Sequence, residues 1–142
     1  MIAREMAEKA QFERGIELFN AGKFFEAHEA WEEIWLGERG GEKAFLQGLI
    51  QVAAAFHHQQ RGNRKGMESL LAAGLAKLEK FPDTHRGIHL ACLRSDAKEW
   101  AERLSKGRTA AGLPRIEPAR KTAASPGGGR KRKSRRDAGA TS

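Results

Sequence analysis

One cysteine, no tyrosine, few β-branched residues and no long apolar run are what the 142-residue chain shows first. Cys92 alone can form neither an intramolecular disulfide nor a thiolate zinc cluster, which fits a reducing compartment. No apolar stretch approaches the roughly 20 residues of a membrane span. The start, Met1-Ile2-Ala3-Arg4-Glu5, turns amphipathic at once and lacks the apolar centre of a signal peptide. A cytoplasmic chain that does not use a membrane is therefore expected. Scarce β-branched residues beside abundant Ala, Leu, Glu, Lys and Arg favour helices over strands. There is no phosphate-cradling glycine loop after a strand and no serine-nucleophile motif, so two large enzyme classes lose their usual signatures.

The net charge of +8 is unevenly placed. Residues 1–106 hold 16 Lys/Arg against 16 Asp/Glu, and residues 107–142 hold ten Lys/Arg against Glu117 and Asp137. All of the excess charge belongs to the second part, whose centre is Arg130-Lys131-Arg132-Lys133-Ser134-Arg135-Arg136. Rich in Gly, Ala, Ser and Pro, this part cannot bury enough apolar surface to offset its chain entropy, and a disordered basic tail is expected. Within it, Leu113-Pro114-Arg115-Ile116 is the piece able to dock on a folded domain. Residues 130–136 can neutralise phosphates by counterion release, giving weak, salt-sensitive, sequence-indifferent nucleic-acid binding. They contain no aromatic side chain to stack on bases.

Five helical stretches follow from the periodicity, so the expected fold is all-α: one small orthogonal or up-down bundle over residues 4–106, followed by the tail at 107–142. The first helix runs from Arg4 to Ala21 with Phe12, Ile16 and Phe19 on one stripe, ended by Asn20 and Gly22. The second covers Lys23 to Leu36, and Gly37, Gly40 and Gly41 make the next loop. The third, Glu42 to Arg61, has Phe45, Leu46, Leu49, Ile50, Val52, Ala53 and Phe56 over half its circumference. Gly48 and Ala55 keep another side small, where a neighbouring helix can approach closely. Gly62 suits a left-handed helix end and Asn63 a cap for the fourth helix, which carries Met67, Leu70, Leu71, Leu75 and Leu78 before Pro82. Asp83 or Thr84 is the expected cap of a fifth helix containing Ile88, Leu93, Ala97, Trp100 and Leu104.

The chemistry gathers on two stripes. In Phe24-Phe25-Glu26-Ala27-His28-Glu29-Ala30-Trp31-Glu32-Glu33-Ile34-Trp35, His28 and Glu32 sit one turn apart and project toward the apolar arc, with Glu29 at its edge. On the third helix Gln47, Gln51 and His58 form one polar stripe. Buried polar groups require partners, so a semi-buried polar site between these helices is expected. One reading is a hydrogen-bond network in which Glu32 holds His28 and the glutamines bridge the helices. A second is a small-molecule or catalytic pocket. A third is a divalent metal held by His28, Glu32 and His58. The His-Glu-x-x-His zincin motif fails at its decisive position, which Glu32 occupies. Trp31, Trp35 and Trp100 are read as core anchors, His57 as a core or site residue, His85 and His89 as exposed, and Cys92 as a packed, inert thiol.

Three runs in order carry a resemblance. Asn20-x-Gly22-x-Phe24-Phe25-Glu26-x-His28-Glu29-x-x-Glu32-x-x-Trp35, then Gln47-Gly48-Leu49-Ile50-Gln51, then His58-x-x-x-Gly62-Asn63-x-x-Gly66 together resemble the bacterial domain of unknown function numbered 309. The similarity extends over residues 12–105 and leaves the basic tail outside. It implies a small all-helical bundle, and no established activity, substrate or cofactor comes with it. The positions it singles out are His28, Glu29, Glu32, Trp35, Gln47, Gln51, His58 and Asn63. Where the family pattern often has an acidic residue after Gly-Ile, this chain has His89.

The leading expectation is a domain that binds an unidentified small molecule or protein partner at the His/Glu/Gln site. One alternative is a hydrolase-type enzyme using Glu29 or Glu32 as base and His28 or His58 as acid, with or without a divalent metal. The other is an adaptor anchored to nucleic acid by its tail.

Overall fold

The computed structural model describes residues 2–106 and 114–119. Helix α1 spans Ile2–Asn20, α2 Phe24–Gly37, α3 Gly41–Gln60, α4 Arg64–Leu78 and α5 Leu90–Ser105. Each helix packs on the next in sequence, α1 on α2 through α4 on α5. The expected all-α bundle of five helices is present. Among the described residues no helix is long and apolar enough to cross a membrane.

The sequence stripes supply the core. Trp31 is fully buried, and its ring lies 6.2 Å from Phe12 and 6.0 Å from Phe19. Its indole N–H donates to the Phe12 carbonyl at 3.1 Å, which satisfies the one polar atom that burial would otherwise orphan. Gly15 makes this crossing possible, because a Cβ there would strike the Trp31 ring. Phe45 and Phe56 extend the aromatic cluster along α3, and Trp100 meets Phe56 edge-on at 5.4 Å. The tight side expected at Gly48 is real: α4 presents Gly74 to it, so the two backbones approach closely beside the Leu78 side chain. Gly62 takes the expected left-handed φ of 80°, and the Asn63 side chain accepts the Gly66 N–H at 2.9 Å as the cap of α4.

The fifth helix begins later than its periodicity implies. Thr84–His85 (β1) and Ile88–His89 (β2) pair antiparallel, Thr84 with His89 and His85 with Ile88. Arg86 and Gly87 form the two-residue loop with φ of 51° and 79°. Both values are left-handed, as a type I′ hairpin turn requires, and only the second position is a glycine. Neither Asp83 nor Thr84 caps α5 by its side chain. The cap position is His89, and the Ala91 N–H bonds to the Asp83 carbonyl at 2.9 Å. Ile88 fits the period of the helix because a strand residue just before it can continue the same apolar stripe. Arg94 locks the hairpin to the end of α4, donating to the Leu78 and Phe81 carbonyls at 3.1 Å and to Asp83 at 2.9 Å.

Residues 114–119 return to the bundle and extend the hairpin. Pro118 bridges Ile88, the His89 N–H bonds to the Glu117 carbonyl at 2.7 Å, and the Ala119 N–H bonds to the Gly87 carbonyl at 2.9 Å. Ile116 is fully buried, and the Asn20 side chain takes both its carbonyl, at 2.9 Å, and its N–H, at 2.8 Å. The docking expected around Pro114 to Ile116 is therefore seen, and a boundary at residue 107 leaves out a segment that packs on the bundle. The Arg/Lys cluster at 130–136, with its expected disorder, lies outside the described residues.

This segment brings Glu117 within electrostatic reach of Asp96 on α5, which also feels Glu99 one turn away. Loss of solvation first, and then the two neighbouring carboxylates, push the Asp96 carboxyl up from 3.8 to about 6. The folded state therefore holds this proton more tightly than the unfolded chain does. Stability contributed at low pH is lost as pH rises from 3.8 through about 6. Asp96→Asn should raise the melting temperature at pH 7 and leave it unchanged at pH 3.5. Because part of the Asp96 residue stays open to water, solvent screening will keep the gain below the full linkage value. Thermal melts of both proteins across this pH range check the prediction.

Candidate functional site

The α2 and α3 stripes share one face of the bundle. Two contacts fix the antiparallel register: the Lys43 ammonium lies 4.2 Å from the Trp35 ring centre, and the Phe25 and His57 rings are 5.2 Å apart. His28 on α2 and Gln51 on α3 fall within the span that these contacts bracket. His28, Trp35, Gln47, Gln51, His57 and His58 are all half-buried, whereas Phe25, Glu29, Glu32 and Leu36 are exposed. The Phe25 ring stacks on His28, with centres 5.8 Å apart and planes at 17°.

Three polar atoms on this face are buried without a hydrogen-bond partner: His28 Nδ1, Trp35 Nε1 and Gln51 Oε1. An unmet buried donor or acceptor costs about 1–3 kcal/mol, so three on one helix pair are a substantial departure from the usual satisfied interior. Trp35 differs from Trp31 here. Both rings are packed, but only Trp31 has found a carbonyl for its N–H. Trp35 is therefore not simply a core anchor.

The other expected site residues are placed less centrally. Glu32 makes no hydrogen bond or ion pair with His28. With Glu29 it borders a groove of about 410 Å³ on the α1 side, together with Gln11, Arg14 and Leu18. The network in which Glu32 holds His28 is thus not formed: Glu32 is exposed, so water can satisfy its carboxylate without the His28 ring. His58 is tied elsewhere, its Nδ1 accepting from the Asn63 side chain at 3.1 Å. His58 and Asn63 thereby secure the α3–α4 turn. Among the described residues no group of three His, Cys, Asp or Glu is placed to hold a metal ion, so the set His28, Glu32 and His58 is not brought together. Cys92 is exposed rather than packed.

The β1–β2 hairpin supplies a polar cluster that sequence reasoning missed. His85 and His89, expected to be exposed, are half-buried. His85 Nε2 lies 2.7 Å from Glu42 Oε2, and its ring contacts Phe45 at 4.6 Å and Phe81 at 5.1 Å. The Arg86 guanidinium reaches Glu42 at 3.1 Å and Glu38 at 3.5 Å, and its carbon sits 4.8 Å over the Phe12 ring. These bonds hold a non-glycine residue in a left-handed backbone conformation, a strained arrangement that the pairing offsets. The partners lie more than 40 residues apart, so no local pattern announces the pair. The readable signal was the short run Thr84-His85-x-Gly87-Ile88-His89, a two-residue loop with glycine second.

Comparison with known proteins agrees with the family resemblance. The chain is 32% identical over 96 residues to an uncharacterized protein of Aquifex aeolicus (strain VF5), a match covering 67% of this chain and 27% of that one. It is 32% identical over 84 residues to the uncharacterized protein YpuF of Bacillus subtilis (strain 168), covering 58% of this chain and 47% of YpuF. The chain thus spans about a quarter and about half of the lengths of these two relatives. The match to the family pattern runs from Phe12, at the head of the aromatic cluster, through both polar stripes to Leu70 on α4. Residues 12–70 match the family described as Domain of unknown function (DUF309).

Proposed function

We propose that the α2–α3 face binds a protein partner that supplies polar groups to His28, Trp35 and Gln51. The observation that carries this reading is the trio of buried, unpartnered atoms on one helix pair. A peptide group carries both an acceptor for the Trp35 N–H and a donor for the Gln51 oxygen, so a polypeptide matches the unmet chemistry. Phe25 and Leu36, 46% and 70% exposed, flank the trio on α2. Eleven residues apart, they are separated by about 16 Å along the helix, a span suited to a docked polypeptide. A hollow of about 590 Å³ bordered by Phe25, His57 and Gln60 continues the face at one end.

The reading makes a stability prediction opposite to that of a structural network. Gln51→Met removes an unmet polar atom while keeping the packing volume, and Trp35→Phe removes one while keeping a smaller aromatic ring for Lys43. Gln51→Met should leave stability within about 0.5 kcal/mol of the parent or raise it slightly, and Trp35→Phe should cost no more than about 1 kcal/mol, the share of its lost ring volume. A loss of about 2 kcal/mol would instead show that these atoms support the fold. Affinity capture from the source cells with the parent, the Gln51→Met/Trp35→Phe protein and Phe25→Ala completes the test. A partner retained by the parent and lost by both variants is expected. Identical captures from three folded proteins would remove the proposal.

A further inference from the structure

A second concavity lies away from that face, where α1 passes the hairpin turn and the returning 114–119 segment. It measures about 640 Å³, within the size range of small-ligand sites. Its apolar lining includes Phe12, Ile16, Ile116 and Pro118, and α1 adds Glu5, Lys9, Glu13 and Glu17. The charge available to a ligand decides what the site prefers. Of its two arginines, Arg86 is already engaged by Glu38 and Glu42, and Arg115 lies 3.6 Å from Glu117. Glu8 pairs with Arg4 at 3.7 Å. Glu5, Glu13 and Glu17 have no ion pair among the described residues, and Lys9 is the one unpaired cation in the lining. The uncompensated charge is therefore negative, set beside an apolar floor.

From this arrangement we infer that the concavity is a binding site for a small amphipathic cation, an aromatic or aliphatic body carrying a primary amine. The body packs against Ile16 and Pro118, and the ammonium meets the carboxylates of Glu13 and Glu17, one helical turn apart on α1. Among the described residues an anionic ligand of the same shape would meet one unpaired ammonium, Lys9, and two guanidiniums already paired, against three unpaired carboxylates, so the site discriminates by the sign of the head group. This site is independent of the α2–α3 proposal and shares none of its residues.

Two molecules with one body and opposite heads test the inference: 4-phenylbutylamine and 4-phenylbutyrate, titrated into the full chain by calorimetry and by ligand-observed NMR. The amine should bind saturably with millimolar or better affinity, and the carboxylate about tenfold more weakly or worse. Glu13→Gln/Glu17→Gln, both exposed positions, should leave the fold intact and weaken the amine about fivefold or more. Ile16→Trp, which fills the floor, should abolish binding of the amine, with circular dichroism confirming helix content. The inference is overturned by equal or tighter binding of the carboxylate. It is equally overturned if the glutamine variant leaves amine affinity unchanged, or if the amine shows no saturable binding at millimolar concentrations.

Discussion

Gly74→Ala will destabilise the bundle even though alanine is the better helix former. A Cβ at position 74 would lie 2.9 Å from the Gly48 carbonyl oxygen, 3.1 Å from the Val52 amide nitrogen and 3.0 Å from Val52 Cγ2. Two of these atoms are α3 backbone, in hydrogen-bonded helix, and cannot rotate away as a side chain can. Replacing a mid-helix glycine by alanine ordinarily gains about 1 kcal/mol. Forcing α4 off α3 costs more, because Met67, Leu71 and Leu78 would all lose contact together, and overpacking of this kind costs about 1–3 kcal/mol or more. A net loss of about 2 kcal/mol is expected, and Gly74→Val should fail to fold. Gly48→Ala should cost less, since its two closest clashes, at 2.8 and 2.9 Å, are with the Leu78 side chain. Gly41, with nothing within 4 Å of its added Cβ, is the control, and Gly41→Ala should be neutral or mildly stabilising. Denaturant titrations of the four proteins rank them. A Gly74→Ala protein as stable as the parent would show that α4 can slide without loss.

The close α3–α4 approach could be anticipated because a glycine on the same side as an alanine, on a helix otherwise crowded with large side chains, leaves a smooth strip. The helices themselves were equally legible, since Phe12, Ile16 and Phe19 on α1 and Phe45, Leu49, Val52 and Phe56 on α3 recur at helical spacing and their burial follows. The hairpin was not legible as such. Its two-residue strands span a single β period, too short to show an alternation, and its stabilising partners Glu38 and Glu42 lie more than 40 residues away in the chain. The wheels place the polar stripes on α2 and α3, but not the pairing between them. Helical wheels give directions to within a few tens of degrees, which separates buried from exposed but cannot decide whether Glu32 turns toward His28 or toward solvent. The orphaned state of His28, Trp35 and Gln51 is a property of what is missing around them, and a one-dimensional pattern carries no record of it.

Two truncations should behave differently, and the difference lies in residues 114–119. A chain ended at residue 119 should melt like the full-length protein. A chain ended at residue 106 should lose about 3 kcal/mol and melt roughly 10 °C lower or more. The longer truncation removes Ile116 from a fully buried position, uncovers Ile88, and leaves the Asn20 side chain without either of its bonds to the Ile116 backbone. It also strips the third strand segment from the hairpin, releasing the His89 N–H and the Gly87 carbonyl. Most of these polar groups regain water, so apolar burial accounts for the larger share of the loss. Charge follows a different boundary. Ending the chain at 119 removes eight Lys/Arg and Asp137, leaving a net charge of +1. If residues 130–136 carry nucleic-acid binding, both truncations should abolish it, and the full-length affinity for a DNA duplex should fall by about tenfold or more between 50 and 200 mM salt. Stability and duplex binding should thus separate at residue 119: the chain ended there keeps the fold without the binding, and neither truncation keeps the binding. Equal stability of the two truncations would mean that the 114–119 segment contributes no net burial. Duplex binding that survives in the chain ended at 119 would place the contact surface on the bundle, where the near-neutral charge gives it little electrostatic reason to be.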